Sequence, residues 1–197
     1  MRSRLMLVGC AALVSAPAAA LDSDWKDKAV ARAIEYHAAN LPELCVSPIE
    51  SEMVPASFEL QIGEETAARQ ALLVEFPCQF GAYSQTAVYL MSDQHGTVSE
   101  VLFPSPLVEV TYLGEGSITV DEVTITEARE LREVVNPSYD AISRTMTERN
   151  KWRGLGDAYT LTQWGFKNGK FEIMSFAVDG SFDGEDNPVT LIENEIW

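Results

Sequence analysis

Arg144, Arg149, Lys151 and Arg153 surround Trp152, so four basic side chains fall within ten residues of a chain that carries 30 acids against 14 bases. Arginine offers a planar fork of donors and tryptophan a large apolar face, the combination that concentrates binding energy at interaction surfaces. Arg149, Trp152 and Arg153 are therefore the candidate binding residues; the competing reading is strand charges paired with neighbouring acids. A second grouping, Asp179-Gly180-Ser181-Phe182-Asp183-Gly184, sets oxygen ligands at positions 1, 3 and 5 and glycine at 6, as a calcium loop of the EF-hand type begins. Asp179, Ser181 and Asp183 make an incomplete metal site, because position 12 is Thr190 where a bidentate glutamate belongs and a strand-like segment precedes the loop. A solvated acidic turn is the alternative, and calcium is the one cofactor that the sequence suggests.

Nucleophilic catalysis finds little support, with two histidines and no Gly-x-Ser-x-Gly elbow. His37 falls on the apolar face of a helix-patterned segment and His95 in a turn, and neither has metal-ligand spacing to another His or Cys. Glu64-Glu65, Asp121-Glu122 and the Asp183, Glu185, Asp186 group could hydrolyse glycosidic bonds as carboxylate pairs. With 30 acids present such pairs also arise by chance. Tyr159, Trp164, Phe166, Phe171 and Phe176 read either as core or as one wall of a ligand surface.

Export frames these residues. Arg2 and Arg4, the apolar run from Leu5 to Val14 and the small residues ending at Ala20 follow the order of a cleavable signal peptide, too short to span a bilayer as an anchor. Leu7-Val8-Gly9-Cys10 also resembles a lipoprotein box, which would leave the chain lipid-anchored through Cys10. Cleavage after Ala20 leaves residues 21–197 as one domain of ordinary size, without linker or internal repeat, and deepens the net charge from −16 to −18 by removing two arginines. So negative a surface repels nucleic acid and anionic lipid and favours cations or basic proteins. Cys45 and Cys78 survive as an even pair, which in an oxidising space reads as a disulfide. No later segment is apolar enough to cross a membrane.

The elements that must hold these residues are mostly strands. Val30, Ala33, Ile34, His37 and Leu41 mark one amphipathic helix over 24–40, with Asp22, Ser23 or Asp24 available as its cap and Pro42 ending it. From 58 onward short β-type runs follow at 58–62, 72–76, 86–91, 98–103, 107–113 and 117–125, each bounded by turn residues. The spacing of Thr124 and Glu127 suggests a capping box and a second helix over 126–134. Tyr159–Phe166 and Lys170–Val178 flank Asn168-Gly169, the signature of a type I′ hairpin. The fold expected is mainly β within the α+β class: an antiparallel β-sandwich or open barrel with one N-terminal amphipathic helix.

Phe76-Pro77-Cys78 leading to Gly81-Ala82-Tyr83, then Asn136-Pro137-Ser138-Tyr139-Asp140, then Arg153-Gly154-Leu155-Gly156-Asp157 before an aromatic hairpin make an ordered set. In that order they resemble the domain of unknown function 1176 family, small exported proteins of Gram-negative bacteria. The resemblance runs from about Cys45 to Met174 and implies a periplasmic, β-rich protein, but no activity. It also implies a cysteine after the Gly-Leu-Gly-Asp segment and a partner near the C-terminus; here Ala158 stands in the first place and the second is absent.

The function expected is a periplasmic binding or inhibitor-type module without catalytic activity, its partner an envelope protein or small ligand. The alternatives are a carboxylate-dependent hydrolase of envelope glycans or peptides and a calcium-stabilised structural domain.

Overall fold

The computed structural model describes residues 19–45, 55–63 and 69–194. The signal peptide core, Cys10 and Glu64-Glu65 lie outside these residues. One helix, α1 (Ala19–Asn40), precedes β1 (Ala56–Ile62), β2 (Arg69–Phe80), β3 (Gln85–Asp93), β4 (Val98–Glu100), β5 (Phe103–Tyr112) and β6 (Val120–Leu131). Six further strands follow: β7 (Glu133–Val135), β8 (Ser138–Asp140), β9 (Thr145–Lys151), β10 (Tyr159–Lys167), β11 (Lys170–Asp179) and β12 (Val189–Glu193).

Two five-stranded antiparallel sheets result. The first runs β1-β2-β3-β4 with β7 also on β3, the second β12-β11-β10-β9-β8, and β5 and β6 form a separate two-stranded ribbon. Alternation along β2 and β3 gives the first sheet two apolar faces. Leu73, Ala87 and Tyr89 meet Met146, Trp164 and Phe171 of the second sheet, while Leu72, Val74, Phe76 and Leu90 meet Ala29 and Ala33 of α1. The order of layers is therefore helix, sheet, sheet, as a sandwich with a helix docked on one side.

The aromatic hairpin forms as its turn dictates: Asn168 (φ 52°) and Gly169 (φ 90°) take the two left-handed positions of the tight loop. Tyr159, Trp164, Phe166, Phe171 and Phe176 are all buried, which assigns them to the core. The Cys45–Cys78 disulfide ties the segment after α1 to β2. His37 is buried beside it, stacked on Phe76 with ring centroids 4.4 Å apart and with Nε2 3.2 Å from Cys45 Sγ. Burial pushes the His37 imidazole below its ordinary value.

Four local expectations change. Residues 126–134 are not helical: Thr126–Leu131 continues β6, paired with β5, and Glu133–Val135 is β7. Pairing of Glu127–Leu131 with Phe103–Leu107 replaces the turn-to-turn bonds that a helix would need, and at the bulge beside it Thr126 donates its hydroxyl to Leu107 O. The run 98–103 is divided between β4 and β5. Ile34 is 44 % exposed because the stripe facing the sheet is Ala29, Ala33 and His37, one step round the helix. Finally, α1 begins at Ala19, so residues 22–24 lie within its first turns instead of capping it.

Candidate functional site

β9 brings the chemistry together. Met146 faces the core, and with a strand period of two, Glu148 and Asn150 follow it inward while Arg149 points to the opposite face. Trp152 and Arg153 then sit in the turn to β10, which is closed by Trp152 N–H donating to Ala158 O at 2.9 Å. Arg144 is at the far end of the strand, away from Trp152.

The two arginines of the basic patch meet the acidic loop. The Arg153 fork donates to both carboxylate oxygens of Asp157, through Nε at 2.7 Å to Oδ1 and through Nη2 to Oδ2, and Nη2 also reaches Phe182 O at 3.0 Å. Asp157 is buried and accepts Gly184 N–H at 2.9 Å as well. Arg149 lies with its guanidinium carbon 3.8 Å over the Tyr159 ring and its Nη2 3.6 Å from Asp186 Oδ2, while Asp186 Oδ1 accepts the Tyr159 hydroxyl. Burial pushes Tyr159 up to about 12. The basic patch and the acidic loop, separate features of the sequence, thus form one assembly.

The Arg153 hydrogen bond, with Gly184 N–H and the guanidinium charge adding to it, holds Asp157 down to about 2. A carboxyl lowered on folding stabilises the fold above its unfolded value, near 3.9, and that contribution is lost as pH falls toward 2. Asp157→Asn should therefore melt below the wild type at pH 7, with the gap closing between about pH 4 and pH 2. A gap independent of pH in thermal melts would contradict this linkage.

In the proposed calcium loop the oxygens already accept hydrogen bonds. Asp179, buried, takes Ser181 N–H (3.0 Å) and the Ser181 hydroxyl (2.7 Å) on Oδ1 and Asn187 N–H (2.6 Å) on Oδ2, while Asp183 Oδ1 takes Glu185 N–H at 2.9 Å. A cation would have to compete with these donors for the same oxygens, so the melting temperature is expected to be equal in excess calcium and in chelator. An increase in calcium of more than about 2 °C, the shift of roughly 1 kcal/mol, would support the metal reading.

Below Trp152 lies a cavity of about 270 Å³ between β5–β6, β7 and the second sheet, with Glu148, Glu133, Arg129, Asn150 and Phe176 among its lining. Glu148 is 3 % exposed, and its Oε1 accepts Val135 N–H at 2.9 Å, a stitch between the sheets. Beside it Asn136 donates from Nδ2 to Arg149 O at 3.0 Å and accepts Gln85 N–H on Oδ1 at 2.9 Å, joining the start of β3 to β9. Burial pushes the Glu148 carboxyl up, against the opposing pull of Val135 N–H, Arg129 and Thr162. Among the described residues no ion pair of Glu148 within 4 Å is found. Glu133 accepts the Thr86 hydroxyl.

A wider, more open cleft of about 710 Å³ lies beside the hairpin tip, over Met91, Phe171 and Ile173. Its charged rim includes internal pairs, Lys170 with Glu172 at 3.0 Å and Arg132 with Glu100 at 2.7 Å. It holds no buried charge comparable to Glu148.

Glu148 escaped the reading of the sequence because a glutamate among Thr, Arg and Lys resembles a solvent-facing charge. The alternation from Met146 was the available signal. His37, Cys45 and Cys78 also bring possible ligand atoms within 4.8 Å of one another, but both sulfurs are joined in the disulfide.

No helix among the described residues is long and apolar enough to cross a membrane. No curated protein and no solved structure matches the chain. The three motifs that suggested a relationship converge on this end of the molecule: Tyr83 lies against Gly154, Asn136 joins β3 to β9, and Asp157 anchors Arg153. A family model matches residues 16–189, nearly the whole chain, and the protein belongs to the family described as Protein of unknown function (DUF1176).

Proposed function

We propose that the chain is a periplasmic binding module, without catalytic activity of its own, that takes a small ligand in the cavity beneath Trp152. Removal of residues 1–20 would deliver residues 21–197 as one extracytoplasmic domain, and the Cys45–Cys78 disulfide suits an oxidising compartment. The observation behind the reading is that Trp152 walls a cavity containing a buried carboxyl group that has no ion-pair partner within 4 Å among the described residues. Small-molecule sites combine apolar and aromatic walls with a few convergent polar groups, and at about 270 Å³ this cavity falls just below their usual ~300–1,000 Å³ range, which suits a small ligand. Arg149 and Arg153 have a supporting role here, because their contacts to Asp186 and Asp157 hold the turn that carries Trp152.

The test is a thermal-shift screen of the purified protein against amines, amino acids, polyols and carboxylates. A ligand that raises the melting temperature of the wild type but not of Trp152→Ala supports the reading. No stabilising ligand in any of these classes, or equal stabilisation of the variant, would overturn it.

A second reading, a carboxylate-dependent hydrolase, is favoured by Glu148 and Glu133 lining one cavity with Glu148 raised by burial, as a general acid requires. Release of product from peptidoglycan fragments between pH 4 and 8, lost in Glu148→Gln, would establish it. Inactivity across that range would remove it.

A further inference from the structure

Glu148 narrows what the cavity can hold. An ionised carboxylate in a desolvated site is expensive unless an opposite charge meets it. The charged groups that face the same space are Glu133 from β7 and Arg129 from β6; β9 and β10 add only the uncharged Asn150 and Thr160, and β5 and β11 add Ser105, Leu107 and Phe176 among others without charge, while Thr162 acts on Glu148 from outside the cavity. With both carboxylates ionised the lining carries one negative charge in excess. Arg129 is exposed, so its guanidinium is largely hydrated while Glu148 is not. Trp152 supplies aromatic surface, with the core ring of Phe176 behind the cavity wall, and such surface attracts a cation and accommodates its apolar body. The net charge of −16 draws cations toward the surface as a whole.

We propose that this cavity binds a small organic cation, an amine or quaternary ammonium ion with an apolar body, with Glu148 as its counter-charge; the proposal rests on the cavity being the ligand seat described above. An anion would face two carboxylates for one guanidinium. A neutral polyol would leave the Glu148 charge uncompensated. Binding of the cation selects ionised Glu148, so a proton is released wherever the free protein holds Glu148 protonated. Affinity then rises with pH, by about tenfold per unit below the Glu148 pKa, and levels off above it.

Calorimetric titration with choline, benzylamine and 3,3-dimethylbutan-1-ol, the neutral isostere of choline, tests this. At least one cation is expected to bind, and choline, if it is that cation, at least tenfold more tightly than its isostere. Proton release should appear as a heat that depends on the buffer at acidic pH. Glu148→Gln should lose at least tenfold in affinity while remaining folded, and Arg129→Gln should gain affinity on the high-pH plateau, where Glu148 is ionised throughout, because a competing positive charge has gone. Equal binding of choline and its isostere, full binding by folded Glu148→Gln, or loss of affinity in Arg129→Gln on the high-pH plateau would each overturn the proposal. If neither cation binds but a polyol, an amino acid or a carboxylate binds and is lost in Trp152→Ala, the cation assignment fails and the binding module stands. If nothing binds, both fail.

Discussion

Replacing both Cys45 and Cys78 by serine is expected to lower the melting temperature by roughly 6 to 16 °C. The bridge closes a loop with a sequence separation of 33, for which chain entropy predicts a contribution of ~3 to 4 kcal/mol. In a chain of this size 1 kcal/mol corresponds to roughly 2 to 4 °C. The loss should also be uneven in space. Cys45 follows α1 and Cys78 lies in β2, so the bridge holds the helix side of the first sheet, where Ala29, Ala33, Phe76 and Leu90 pack. Hydrogen exchange should accelerate more in α1 than in β9 to β11, whose core lies on the other face. Uniform acceleration, or a shift of less than 3 °C, would show that the helix docks independently of the bridge.

Trp164→Ala is expected to be at least as damaging, costing about 3 to 5 kcal/mol as large aromatic truncations in cores do. Trp164 is fully buried between the sheets, with its ring centroid 5.1 Å from Phe103, and its indole N–H donates to Pro104 O at 2.6 Å. That bond fastens the root of the β5–β6 ribbon to the second sheet, and the ribbon forms one wall of the cavity that contains Glu148. Trp164→Phe keeps most of the packing but leaves the Pro104 carbonyl without this donor, for which about 1 to 3 kcal/mol is expected. The two variants should therefore differ clearly in denaturant midpoint with similar m-values. Equal midpoints would mean that the hydrogen bond, not the ring volume, dominates.

The sequence made some of this architecture readable and concealed the rest for identifiable reasons. The hairpin was readable because Asn168-Gly169 satisfies a local backbone requirement that needs no tertiary context. The first two layers were readable because the helical spacing of Val30, Ala33, His37 and Leu41 and the continuous apolar runs of β2 and β3, strands buried on both faces, report burial directly. Residues 126–131 misled because β6 is itself mostly exposed, so no alternation of burial marks it and Glu-Ala-Arg-Glu displays its helix propensity unopposed. Pairing with β5 overrides that preference. Arg149, Trp152 and Arg153 stood out by composition, as did the acidic loop, but their mutual contacts join residues up to 37 positions apart, Arg149 and Asp186, and no local pattern encodes them. Glu148 was concealed by its own type, since glutamate signals the surface unless the parity of its strand is followed from Met146.

That buried glutamate is the centre of the functional account, and its charge should be maintained at the expense of stability. A carboxyl raised on folding leaves the fold most stable below its unfolded value, near 4.3, and stability declines as pH rises through the higher folded value. Glutamine keeps an oxygen to accept Val135 N–H but carries no charge. The most direct measurement is the melting temperature of Glu148→Gln against the wild type from pH 3 to 8. The variant is expected to melt higher at pH 7, by roughly 2 to 4 °C for each kcal/mol of burial cost removed, and the advantage should vanish below about pH 4. A variant that melts lower than the wild type at neutral pH would show that the Glu148 charge stabilises the fold, and would contradict its assignment as a counter-charge awaiting a ligand.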